Sequence, residues 1–226
     1  MNEIIVVDTE TTGFDPAVYE LVEYAAVMVD LEHRCIKTNA HVSFLVNPCQ
    51  PIPPEASAVH HLTDRDVVNA IPADELRAML RRDTTYASHN AKFDSGFLRL
   101  PISICTMKLA YRIWPNAPRH SNQVLRYWLG IEFDHASQRA VEIPPHRALH
   151  DAFVTALIML HQLEALDWDI DRAIKISSEP ALLPKVTFGK HAELPWANVP
   201  KDYLQWVLKQ DFDEDVRFTA QHWLQR

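Results

Sequence analysis

The chain has 226 residues, 47% of them apolar and 23% charged, with a net charge of −8 and three cysteines. This is the balance of a globular protein with one sizeable core and room for a small appendage. It argues against a broad basic grip on nucleic acid, and no window approaches the roughly 18 apolar residues of a membrane span. Cys35, Cys49 and Cys105 lack CxxC spacing, so neither a zinc site nor a disulfide framework is expected and a reducing cytoplasm fits. The first residues carry no basic and apolar leader, so no export signal is expected.

Residues 4–7, Ile-Ile-Val-Val, read as a buried strand, because β-branched side chains suit a sheet covered on both faces. Residues 21–30 read as a second strand, with Glu23 turned outward, and 40–46 as a third that closes an antiparallel meander. Four prolines between 47 and 54 predict a fixed loop. A short helix over 55–61 and another capped at Thr63 or Asp64 follow. Then helices and short strands alternate: helix 74–82 with Leu76, Met79 and Leu80 inward, strand 84–88, helix 90–99 with Phe93, Phe97 and Leu98 inward, strand 102–105, helix 107–114. Ser121 caps a helix ending near Gly130. Pro144-Pro145 breaks the chain before a long helix over about 147–166. A meander followed by alternating strands and helices predicts an α/β fold: a mixed sheet, antiparallel meander plus parallel strands, flanked by helices. The core domain is expected over 1–168, a helix and linker over 169–184, and a small module over 185–226.

The chemistry concentrates at element ends. Asp8 and Glu10 are two apart on a strand, so they share a face. Two such acids repel and need a shared proton or a cation. Oxygen ligands suit a hard cation such as Mg²⁺ or Mn²⁺. Gly13 is read as permitting a sharp turn away from the site. The plain alternative is a strand ending in solvated acids. Asp94 falls about one turn into its helix, where its carboxylate can reach back to the sheet. Asp151 falls early in the long helix. His146, five residues earlier, would sit about 500° round a continuous helix, so the prolines are read as placing it on the loop side, exposed and able to swing over the site.

Together these segments make a specific pattern. Asp8-x-Glu10-Thr11-Thr12-Gly13, His89-Asn90-x-x-Phe93-Asp94 and His146-x4-Asp151 resemble, in order, the motifs of the DEDDh, DnaQ-like family of 3′-5′ exonucleases. The resemblance covers residues 1 to about 166. Residues 103–115, the total length and the Thr-Phe-Gly-Lys tail are similar to the family's exodeoxyribonuclease X branch, with Cys105 where most relatives have Asp. The resemblance implies a ribonuclease H-like fold. It also implies a site in which Asp8, Glu10, Asp94 and Asp151 hold two divalent cations, Mg²⁺ with Mn²⁺ as a substitute. Such ions stabilise the attacking and leaving oxygens of a phosphodiester. His146 would take a proton from the attacking water; His150 competes by composition, but the five-residue spacing belongs to His146. The implied partners are DNA 3′ ends, single-stranded or frayed, with repair or replication proteins as possible associates.

Substrate contacts are sought in Thr11, Phe14, His60, Asn90, Lys92, Lys108 and Arg112. Phe14 is either a stacking surface for the last base or ordinary core. His60 either lines the site or packs a loop. Residues 99–147 carry seven basic residues against three acids, and Lys108, Arg112, Arg119 and Arg126 are candidates for phosphate contacts; solvated helix faces are the alternative. In the tail, Phe188, Trp196, Tyr203 and Trp206 are read as the module's own small core in preference to a strand-binding surface. The principal function read from the chain is 3′-5′ exodeoxyribonuclease in DNA repair. The alternatives are a 3′-5′ exoribonuclease on short RNA and a non-catalytic nucleic-acid-binding module, which the intact acid set argues against.

Overall fold

The computed structural model describes residues 2–226, apart from the side chain of Arg139, whose expected part in the basic stretch lies outside the described residues. Strands β1 (Glu3–Thr11), β2 (Leu21–Asp30) and β3 (Cys35–Asn47) form the antiparallel meander. β4 (Ile71–Pro72), β5 (Thr85–Ser88) and β6 (Ile104–Cys105) add parallel pairs, giving the order β4-β3-β2-β1-β5-β6. β3 starts earlier than its apolar pattern predicts, because Cys35 and Ile36 pair with Asp30 and Val29 immediately after the turn. β4 is too short to be read from sequence and exists only as an addition to the end of β3.

Among the described residues ten α-helices are interleaved with and follow the strands: α1 (Pro54–His60), α2 (Asp64–Val67), α3 (Ala73–Met79), α4 (Ala91–Leu98), α5 (Thr106–Ile113), α6 (Asn122–Trp128), α7 (Ala148–Ala165), α8 (Ile170–Ser178), α9 (Lys201–Leu208) and α10 (Glu214–Leu224). α2 is closed by a capping box in which the Thr63 N–H donates to Asp66 Oδ2 at 2.7 Å. α7 lies across β1 and β2 and packs against α5 and α6. Its Phe153, Ile158 and Met159 share one core with Ile4, Val6, Val27 and Val29. Truncating Phe153, fully buried there, would cost about 3–5 kcal/mol. The opposite face of the sheet buries Val7, Leu21 and Tyr86 with Phe97 and Leu98 of α4.

Some expectations change. Met79 is 56% exposed, because α3 ends there and Leu80 turns extended. Glu23 faces inward, for a reason given below. Gly13 sits in the bend after β1, as expected, without a positive φ, and its lack of a side chain also matters because a β-carbon would lie 2.5 Å from the Tyr19 ring.

Residues of the tail gather round their own cluster, with Trp196 fully buried among Val186, Tyr203, Leu204 and Val207, and Phe188 packed against it. Trp206 departs from the expected core: it is 45% exposed and stacks on Tyr203 at 5.1 Å. α8 ties this end to the sheet, since Ser177 Oγ accepts from the Cys105 N–H at 2.8 Å. Among the described residues no helix is long and apolar enough to cross a membrane.

Candidate active site

β1 delivers two acids to one place. Ile4, Val6, Asp8 and Glu10 form one alternating row, and Ile4 and Val6 lie in the core shared with α7. The row therefore carries Asp8 and Glu10 to the first turn of α7, which holds Asp151. Carboxylate oxygens of Asp8, Glu10 and Asp151 lie within 4.8 Å of one another. Burial raises Asp8 well above the ordinary carboxylate range, and the charges of Asp94, Asp151 and Glu10 add to it. Burial, then the charges of Asp151 and Glu23, push Glu10 up to about 9. Acids held this way keep protons or take a cation. Oxygen-only donors this close together fit a hard divalent ion.

Asp94 arrives from the other face. α4 packs with the second core cluster, behind β1, and Asp94 Oδ1 accepts from Thr9 Oγ1 at 2.7 Å. Burial raises Asp94 to about 7 against the opposing pull of that hydroxyl. The residue stands outside the tight trio, yet its charge is the largest charge effect felt by Asp8. The strand–helix turn before it is locked by His89, whose Nε2 donates to the His120 carbonyl at 2.7 Å while Nδ1 lies 2.9 Å from Thr106 Oγ1. Burial holds His89 down at about 4, so the ring is neutral and serves as a fixed link.

His146 precedes α7, exposed, with φ of 63°. The two prolines end the preceding turn and keep it off the helix. Its N–H donates to Asp151 Oδ2 at 2.9 Å, and Gln123 Nε2 donates to Oδ1 at 3.0 Å. Gln123 gave no signal in the sequence; only the packing of α6 on α7 brings it in. Glu23 was misread. It lies directly opposite Glu10 in the β1–β2 ladder and is 2% exposed. Arg147 Nη2 and Nε donate to its two oxygens at 2.7 and 2.9 Å. A lone acid in an otherwise apolar strand was the available clue.

A cavity of about 530 Å³ opens beside Glu10, lined by Thr11, Phe14, Val59, His60 and Phe93. Phe14 is 88% exposed and meets Phe93 edge-on at 6.5 Å, so the core reading fails: the turn after β1 carries it off the sheet. His60 is buried in the wall, its Nδ1 accepting from the Leu62 N–H at 3.1 Å. The basic candidates lie elsewhere. Lys108 Nζ donates to the Ser177 and Glu179 carbonyls at 3.1 and 2.6 Å. Arg112 pairs with Glu179 at 3.1 Å. Both side chains thus join the sheet domain to the end of α8, and each is engaged there by a carbonyl or a carboxylate. Arg126 covers the Phe133 ring at 4.1 Å, and Arg119 is exposed. Asn90 and Lys92 line a different cleft of about 520 Å³, together with Lys108, Ser177 and Asp215.

A family model described as exonuclease matches residues 5–159. The chain belongs to the exonuclease family. Exodeoxyribonuclease 10 of Escherichia coli K12 is 30% identical over 97% of this chain and 98% of its own length. The DNA polymerase III subunit epsilon of Treponema pallidum is 31% identical over 59% of this chain and 67% of that protein. Among solved structures, exonuclease X in complex with 5′ overhanging duplex DNA superposes with a TM-score of 0.66 at 30% identity, covering 77% of this chain and 99% of that one. The nuclease domain of 3′hExo, a DEDDh family member bound to rAMP, has a TM-score of 0.55 at 16% identity, covering 72% and 92%; at that identity it shows the shared ribonuclease H-like fold. The chain is accordingly a 3′-5′ exonuclease of the DEDDh type, and its sheet and helices are those of that fold.

Proposed function

We propose that this nuclease acts on DNA, trimming 3′ ends to nucleoside 5′-monophosphates in repair. The observation that carries the reading is the close trio of half-buried Asp8 and Glu10 with buried Asp151, beside an exposed histidine. The near end-to-end likeness to an exodeoxyribonuclease supports DNA as the substrate. Asp8, Glu10 and Asp151, with Asp94 behind them, would hold two divalent cations, Mg²⁺ with Mn²⁺ able to replace it. Bound there, the cations supply charge stabilisation and make a water more acidic.

The protein's own groups do the rest. His146 stands at the rim as general base and takes the proton of the attacking water. Asp151 serves twice, as a ligand and as the acceptor that fixes the His146 backbone. Thr11 Oγ1 donates to the Gly13 carbonyl at 2.6 Å, which sets the turn presenting Phe14. The exposed Phe14 ring offers a flat surface for the terminal base, and His60 forms the wall beneath it. Lys92 and Asn90 are left for the strand further from its end.

Matched 5′-labelled DNA and RNA oligonucleotides, incubated with Mg²⁺ and with EDTA, test this. The expected result is DNA shortened one nucleotide at a time from the 3′ end, stopped by EDTA, with RNA cut more slowly. Faster cutting of RNA, or shortening from the 5′ end, would overturn it.

A further inference from the structure

Glu23 is a buried acid that the reaction described above does not use. All three hydrogen bonds its carboxylate accepts come from the two residues after His146. Arg147 Nε and Nη2 donate at 2.9 and 2.7 Å, and the Ala148 N–H donates at 3.0 Å. On the other side, the N–H of His146 donates to Asp151 at 2.9 Å. Between these two anchors His146 adopts φ of 63°. A residue with a β-carbon avoids that region, and such a conformation persists only where its surroundings hold it.

We propose that Glu23 and Arg147 are positioning residues for His146: the pair holds the left-handed turn that keeps this residue beside Asp151. The proposal rests on the reading of His146 as general base. A two-pronged guanidinium–carboxylate contact fixes angle as well as distance. Its carboxylate sits on β2 directly opposite Glu10. The base and the acid cage therefore share one rigid reference, the β1–β2 ladder. The arrangement also gives Arg147, a basic residue beside a nuclease site, a structural partner. Its guanidinium is engaged by an acid that is 2% exposed.

Nucleotide release from a 5′-labelled single-stranded DNA oligonucleotide, in steady state and in single turnover, tests the pair, with Mn²⁺ affinity measured alongside. Arg147→Ala is expected to lower kcat about 10- to 100-fold, the scale of a misplaced catalytic group, with KM and Mn²⁺ affinity within two-fold. Arg147→Lys, which keeps the charge without the fork, recovers part of the loss. In a His146→Ala background the same Arg147→Ala change alters the single-turnover rate less than two-fold, because the group it positions is gone. Arg147→Ala leaves the Glu23 charge buried and risks unfolding. The double variant Glu23→Gln/Arg147→Met, which removes both charges, is measured beside it with the same expectation. A folded double variant with unchanged kcat, or an equal loss in the His146→Ala background, would overturn the proposal. Full activity of His146→Ala alone would instead remove the general-base reading, and the proposal with it, from a variant in which the pair is intact.

Discussion

Glu10 and Glu23 face each other across the same antiparallel ladder, and their surroundings could hardly differ more. Glu23 accepts three hydrogen bonds, two of them from one guanidinium. Glu10 stands among other acids and is pushed up to about 9. A buried acid with its donors in place holds the fold together. A half-buried acid among other acids, pushed up in pKa, has the character of a group that takes a proton or a cation. Burial alone separates neither case; the donor count does.

Variants can break or sharpen that contrast. Asp8→Asn should lower kcat on DNA at least about 10³-fold. Its unfolding temperature without cations should not fall, since the change removes a carboxyl that burial and its acidic neighbours make costly; a large drop would mean Asp8 holds the fold together. Exchanging each glutamate for glutamine should then split the two roles. Glu10→Gln is expected to lose activity and to stabilise the cation-free protein. Glu23→Gln leaves Arg147 without its counter-charge and should lose about 1–3 kcal/mol in urea unfolding. Stability changes of the same sign in both would erase the distinction.

The pH dependence is a smaller effect with a fixed sign. Glu10 is raised from 4.5 to about 9 and Asp94 from 3.8 to about 7. The folded state therefore holds protons that the unfolded chain releases. The stability this contributes is full below about pH 4 and is lost as pH rises through 7 and 9. Calorimetry of the cation-free protein should show the unfolding temperature falling by several degrees from pH 5 to pH 9, with Mg²⁺ reversing the fall most at high pH. Smallest of all, Phe14→Ala should leave stability within about 0.5 kcal/mol, as for an ordinary surface change, while raising KM for DNA several-fold. An unchanged KM would remove Phe14 from the substrate surface.

Much of this architecture is legible in the residues. The β-branched run of β1 and the spacing of Asp8 and Glu10 place two acids on one face, and Pro144-Pro145 places His146 ahead of the helix that carries Asp151. These are local signals, and period and chain breakers are enough to read them. What the residues hide is long-range. Glu23 meets Arg147 across 124 positions, so its inward side depends on register with β1 and on how α7 lands. Lys108 and Arg112 look like free cations until α8 folds back and offers its terminal carbonyls and Glu179. Gly13 reads as a turn residue, and the added constraint of the Tyr19 ring beside it is not legible locally. Trp206 falls outside the core its neighbours build because α9 turns it towards solvent.

The central claim is that the trio is a cation site held open by protons. Isothermal titration of Mg²⁺ at pH 7, in two buffers of different ionisation enthalpy, counts those protons directly. The account predicts release of about one proton or more per chain, because Glu10 at about 9 is still protonated there, and a smaller release in Glu10→Gln. Binding of Mg²⁺ with no proton released, or with a release that Glu10→Gln leaves unchanged, would contradict it.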